Sequence, residues 1–233
     1  MKKLGLIGGT SWHSTIEYYR EINQSVNNHF GDNTNPPLLV YTLNQSLIHR
    51  LQLESKWEQI AELLTEAALS LQKAGAQQLM FCANTPHKVY ELVAKEVSTP
   101  ILHISDATAS DIKSKGIKKV CFIGTKYSMS QDFVTKRIVQ QNIEVLVPQS
   151  AKVLNELHRI IQEELTYGKI VLDSKSYVLS ILNDFINAGA KAVVLGCTEF
   201  PLMISQSDID VPIFNTTTIH AQAGVNFILG KGN

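Results

Sequence analysis

A chain of 233 residues with 44% apolar side chains can bury one large core or two small ones, which places it among globular proteins. Its 21 basic and 21 acidic residues cancel, so no basic field exists to hold a phosphate backbone, and nucleic acid is not an expected partner. No apolar run approaches the roughly 20 residues of a membrane span, the start MKKLGLIGGT is too short in apolar residues for a signal peptide, and Cys82, Cys121 and Cys197 form neither CxxC pairs nor a metal-type grouping with histidine. The expectation is a soluble cytoplasmic protein without membrane contact, disulfide framework or metal site.

Along the chain, short β-rich apolar runs alternate with helical patterns. KLGLIG, PPLLVYTL, QQLMF and PILHI come first, then KKVCFIG, IEVLVP, KAVVLG and VPIFN. Such alternation predicts parallel sheets covered by helices, the α/β class. Ile60, Leu63, Leu64, Ala67 and Leu71 mark one face of a helix ending near Gly75; Val178, Ile181, Leu182 and Phe185 mark its counterpart before Gly189. Three segment pairs align at nearly constant spacing: KLGLIGGT from Lys3 with KVCFIGTK from Lys119, 116 residues on; GAQQLMFCANT from Gly75 with GAKAVVLGCTE from Gly189, 114 on; and TPILHIS from Thr99 with DVPIFNT, roughly 112 on. Three pairs in one order predict two similar halves, residues 1–104 plus 216–233 and residues 105–215, rather than one long sheet.

Ligands of open α/β sheets bind beyond the carboxyl ends of the strands, so the residues that follow each strand are the functional candidates. In GCTEFPL, Cys197 stands at a strand end, where its thiolate could serve as nucleophile or base, and Thr198 offers a hydroxyl and an amide to a carboxylate. Alternatively Cys197 is a small buried apolar residue. FCANTPH holds the equivalent place in the first half. Asn84 and Thr85 there are either donors to an anion or an ordinary helix cap ahead of Pro86. His87 and Glu199 could orient or protonate the cysteines, or be structural. GGTSW lacks the spacing of a dinucleotide loop and the lysine of a P-loop, so nucleotide binding is not expected; Thr10 instead sits in a tight turn suited to a small carboxylate. Thr125 and Ser128 in IGTKYSM would be its partners in the second half. Cys121 reads as core.

In their order, GGTSW, NTPH, IGTKYSM and GCTEFPL resemble the aspartate/glutamate racemase family along essentially the whole chain, and GGTSWHSTIEYY looks most like its broad-specificity branch. The resemblance implies cofactor-independent racemisation by two three-layer α/β domains related by a pseudo-twofold axis, with the active site in the cleft between them. One thiol from each domain would face each side of Cα. It implies that Cys197 is the second-domain acid/base, that Asn84, Thr85, Thr198 and Ser128 hold a carboxylate, that Gln52 lies on the substrate side, and that the protein is a homodimer acting on a small amino acid or dicarboxylate. Two departures stand out. The family's first cysteine aligns with Ala83, and the internal repeat agrees, because Gly189 over Gly75 sets Cys197 opposite Ala83 and Gly196 opposite Cys82. Cys82 is one residue early, and in a regular strand one residue reverses the side-chain direction; only a bulge would return Cys82 to the substrate. Many relatives also resemble one another in a lysine at the position of Thr166, for which Arg50 and Lys126 are possible substitutes. The alternatives left open are a one-cysteine decarboxylase or non-inverting isomerase on the same fold, and an inactive homologue that binds acidic ligands.

Overall fold

The computed structural model describes residues 1–231. Contacts divide the chain into two compact units: residues 1–104 with the segment from His220 onward, and Ser105–Ile219. The first contains β1 (Leu4–Gly8), α1 (Trp12–Phe30), β2 (Leu38–Thr42), α2 (Gln45–Leu53), α3 (Trp57–Lys73), β3 (Gln78–Phe81), α4 (Tyr90–Glu96) and β4 (Ile101–Leu102). Helix α5 (Ile104–Ser114) leads into the second, with β5 (Lys119–Gly124), α6 (Lys126–Ser130), α7 (Thr135–Val139), β6 (Glu144–Leu146), α8 (Ala151–Arg159), α9 (Leu172–Asn187), β7 (Val193–Gly196) and β8 (Ile213–Asn215); α10 (Thr216–Ile228) begins in the second unit and from His220 belongs to the first. All eight strand-like runs of the sequence form strands.

Both units hold a four-stranded parallel sheet, and the strand orders correspond: β2-β1-β3-β4 and β6-β5-β7-β8. The central strands read as continuous apolar runs because helices cover both of their faces. Accordingly Leu4, Leu6 and Ile7 of β1, and Val120, Cys121, Phe122 and Ile123 of β5, are at most 1% exposed. Alternation along the strands assigns the faces of the first sheet. Ile7, Leu79 and Phe81 pack with α3 residues such as Leu64 and Leu71; Leu4, Leu6, Met80 and Cys82 pack with Tyr18, Ile22 and Val26 of α1 and with Ala221, Val225 and Ile228 of α10. Each fully buried Leu or Ile contributes about 1.5–3 kcal/mol relative to exposure.

Strand pairing fixes the repeat in space. Ile7 pairs with Phe81, and Ile123, 116 residues after Ile7, pairs with Leu195, 114 after Phe81. Position 82 therefore corresponds to 196 and position 83 to 197. The strand-to-helix turns require glycine: a Cβ on Gly8 would lie 2.4 Å from Thr15 Cγ2, and one on Gly124 would lie 2.5 Å from Ser128 Oγ. One departure from regularity falls at Ile160–Glu164, a π-helical turn after α8. Thr166 donates from its hydroxyl to Ile161 O at 2.7 Å, so this position, where the resemblance led one to look for a lysine, caps the widened turn.

Candidate active site

In the second unit, β7 ends at Gly196 beside Gly124 of β5. The chain then bends through Cys197, Thr198 and Glu199 into a short 3-10 turn, Phe200–Leu202. The bend brings two donors onto one carboxylate oxygen. The Cys197 thiol and the Thr198 hydroxyl both donate to Glu199 Oε2 at 2.8 Å. Cys197 is 7% and Glu199 6% exposed. Burial pushes the Cys197 thiol well above its ordinary range, and the Glu199 charge and hydrogen bond push it further; the amides of Glu199 and Thr198 pull the other way without reversing the sum. At neutral pH Cys197 is a thiol that has a carboxylate within reach of its proton.

On the neighbouring strand end, Thr125 caps α6. Its hydroxyl accepts from Ser128 N at 3.3 Å, and Ser128 Oγ donates to Thr125 O at 3.0 Å. Because β5 and β7 are adjacent, Thr125, Ser128, Cys197, Thr198 and Glu199 share one end of the sheet. Lys126, a substitute considered for the missing lysine, holds its Nζ 5.5 Å from the centre of the Tyr127 ring.

The first unit builds the corresponding edge without a thiol at the corresponding position. Cys82 N donates to Ile7 O at 2.9 Å, so the ladder continues through residue 82, and the Cys82 side chain follows Met80 into the α1/α10 core, 2% exposed. Burial raises its pKa steeply. Cys121, in the second sheet, is likewise core, its thiol pushed up to about 12 by burial. Ala83 is the residue in register with Cys197, and it is only half-buried. Two side chains hold the backbone around it: Ser14 Oγ donates to Cys82 O, and His87 Nδ1 to Ala83 O at 3.0 Å and Asn84 O at 3.2 Å. His87 Nε2 accepts from Ile104 N at 3.2 Å. Carbonyls can only accept and an amide only donates, which fixes the tautomer and engages both ring nitrogens. Asn84 and Thr85 follow, both buried, at the start of the 3-10 turn Thr85–Val89.

Thr10 is buried in the loop after β1. Its carbonyl accepts from His49 Nε2 of α2 at 3.2 Å, while Gln45 Oε1 accepts from Trp12 N at 3.0 Å. Helix α2 is thereby tied to the glycine loop. Gln52 lies in its last turn, half-buried, one turn beyond His49. Arg50 is also on α2. Among the described residues, no group of three or more His, Cys, Asp and Glu could hold a metal ion, and no helix is long and apolar enough to cross a membrane.

Ser14 was not legible as a residue that shapes this strand end. Ser14 is one of several serines in a helix pattern, and only the fold shows that its hydroxyl reaches the strand end.

Two α/β units of matching topology, each carrying polar loops at the carboxyl ends of its central strands, define the class. The Asp/Glu/Hydantoin racemase family model matches residues 7–224, and the chain belongs to that family. A Yersinia pestis structure assigned to the Asp/Glu racemases is 40% identical, covering 98% of this chain and 100% of its own, with a TM-score of 0.92. An aspartate racemase homologue from Pyrococcus horikoshii OT3 is 36% identical over 98% of this chain and 100% of its own, with a TM-score of 0.85. RacX, a broad specificity amino-acid racemase of Bacillus subtilis, is 20% identical over 174 residues, 74% of either chain.

Proposed function

We propose that the protein is an amino-acid racemase-type isomerase that works without a cofactor, with Cys197 moving the α-proton of a small amino acid or dicarboxylate. The observation that carries this reading is the Cys197–Glu199–Thr198 cluster at the end of β7, in a chain of the racemase family. Glu199 takes the thiol proton as the substrate arrives, and the thiolate then removes the proton from Cα. The electron pair of that C–H bond passes into the carboxylate as an enediolate. Donors of the type offered by Asn84, Thr85, Thr198 and Ser128 stabilise the added charge. Return of a proton to Cα completes the turnover. Thr10, Thr125 and Gln52 belong to the same proposal as substrate-side residues, as do a homodimeric state and a cytoplasmic setting.

The test is loss of the α-proton signal of L-aspartate, L-glutamate and a neutral amino-acid panel in deuterated water. Exchange abolished by Cys197→Ser is the expected result; no exchange of any member, or exchange untouched by that substitution, defeats the reading.

A second reading is favoured by one specific observation: the position in register with Cys197 is Ala83, while Cys82 is turned into the core and His87 has both nitrogens engaged. A single thiol deprotonates and reprotonates Cα from one side, so exchange proceeds with retention. The same arrangement suits a decarboxylase or a non-inverting isomerase. Chiral analysis of the exchange sample separates the two readings: inversion as fast as exchange supports the racemase, and exchange well ahead of inversion supports the one-sided site.

A further inference from the structure

The geometry points to Thr217 as a further substrate-binding residue of the Cys197 half-site, its hydroxyl donating to a carboxylate oxygen of the bound acid; this rests on the reading of Cys197 given above. Thr217 is the second residue of α10, a 13-residue helix that begins where β8 ends. Leu195 of β7 pairs with Asn215 of β8, and both chains leave the sheet within a residue or two of that pair, so the first turn of α10 and Cys197 lie at the same end of the sheet. Thr216 holds the junction to β7, its hydroxyl donating to Leu195 O at 3.0 Å. Asn215 caps the helix, with its Oδ1 accepting from Thr217 N at 3.0 Å. The Thr216 hydroxyl and the Asn215 cap are thus occupied. Thr217 Oγ1 is buried and has no hydrogen-bond partner among the described residues, in a residue only 4% exposed.

A buried hydroxyl without a partner costs free energy unless something binds it. Here it sits in the first turn of a helix, where the aligned peptide dipoles favour negative charge, at the same sheet end as the residue proposed to do the chemistry. A carboxylate oxygen satisfies both conditions. The internal repeat adds a parallel. With the spacing of 112 that relates Pro100 to Pro212, Thr217 corresponds to Ser105, the second residue of α5 and also fully buried. A small hydroxyl residue therefore recurs at the start of the helix after the last strand of each sheet.

The test uses Thr217→Val, which removes the hydroxyl at similar volume, and Thr217→Ser, which keeps it. Binding of L- and D-aspartate and L- and D-glutamate is measured by calorimetry on the whole protein, with thermal melting of each ligand-free variant. The expected result is affinity for the preferred acid lowered about tenfold or more in Thr217→Val and near wild type in Thr217→Ser. The ligand-free Thr217→Val protein should melt no lower than wild type, because nothing in it has lost a partner. Wild-type affinity in Thr217→Val, or a lowered melting temperature with affinity unchanged, overturns the proposal and makes the hydroxyl structural. A protein that binds one of these acids but exchanges no α-proton removes the acid/base reading while leaving Thr217 decided by affinity; one that binds none of the four overturns both.

Discussion

Two corresponding strand ends, Phe81-Cys82-Ala83 and Leu195-Gly196-Cys197, occupy the same place in matching sheets yet solve one packing problem in opposite ways. In the second unit Phe122 of β5 fills the space beside position 196: a Cβ on Gly196 would lie 2.0 Å from the ring's Cζ. In the first unit the residue corresponding to Phe122 is Leu6, and the space it leaves takes the Cys82 side chain, in the same core cluster. Large with none has become medium with medium, at similar total volume. Cys82 is on this view a packing residue, and its neighbourhood of Cys197 in sequence pattern is a coincidence of one position.

The turns differ too. The 3-10 turn starts four residues after Phe81, at Thr85, but five residues after Leu195, at Phe200. The extra residue in the second unit is Gly196, which extends β7 one position beyond the place where β3 ends; a three-residue bend follows in both. The second unit ties its bend internally, through Cys197, Thr198 and Glu199, whereas the first anchors its bend through Ser14 and His87.

Substitutions can sharpen or break this contrast. The largest effect is expected at Glu199. Glu199→Gln leaves the thiol without a carboxylate to take its proton and should slow α-proton exchange by about a hundredfold, read by NMR with the fold checked by circular dichroism; an unchanged rate would detach Glu199 from the chemistry. Next is Gly196→Ala, whose new methyl meets the Phe122 ring and should destabilise by about 1–3 kcal/mol. Adding Phe122→Leu, which makes the second unit resemble the first, should restore most of that loss in chemical denaturation. Cys82→Ala, by contrast, should cost only about 1 kcal/mol, the ordinary scale of a core truncation, and leave exchange close to wild type. A large loss of exchange with stability retained would show that Cys82 reaches substrate.

A smaller effect comes from pH and again separates the units. His220, on α10, accepts from Tyr18 OH at 2.8 Å through Nδ1 and donates through Nε2 to Leu102 O at 3.2 Å. Burial, and then the nearby His87, hold its pKa well below the ordinary value near 6.5. The folded protein thus keeps this ring neutral where the unfolded chain protonates it. Stability from this group is fully present above about pH 6.5 and declines as pH falls from there towards the depressed folded value. Melting temperature against pH should fall over that window, less steeply in His220→Gln. An identical slope in the variant would assign the effect to other groups.

Much of the fold was legible because buried parallel strands announce themselves as apolar runs and because the repeat spacing is nearly constant. The one-residue displacement of Cys82 was legible as well, since the repeat alone aligns Gly196 with it. Where the sequence was silent, the cause was packing between distant segments. Nothing near Gly196 indicates that it is glycine because of Phe122, 74 residues earlier. The 19-residue α1 has a two-piece counterpart, α6 and α7, although both stretches follow a strand ending in glycine. The π-helical turn at Ile160–Glu164 leaves no local mark in IIQEELTYG. Thr217 could have been found, because extending DVPIFNT by one residue sets it opposite Ser105; what marks it out is a hydroxyl with no hydrogen-bond partner among the described residues, which only the fold reveals.

The first unit is discontinuous. Its sheet lacks part of one covering layer until Ala221, Val225 and Ile228 arrive, and Lys2 N donates to Ile228 O at 3.1 Å. On a ribosome, then, the half made first must wait with one apolar face open, while the contiguous second half has everything it needs to fold earlier. The discontinuity predicts an inverted N-to-C order of domain maturation, with the segment from His220 onward as the last piece to pack against the first sheet.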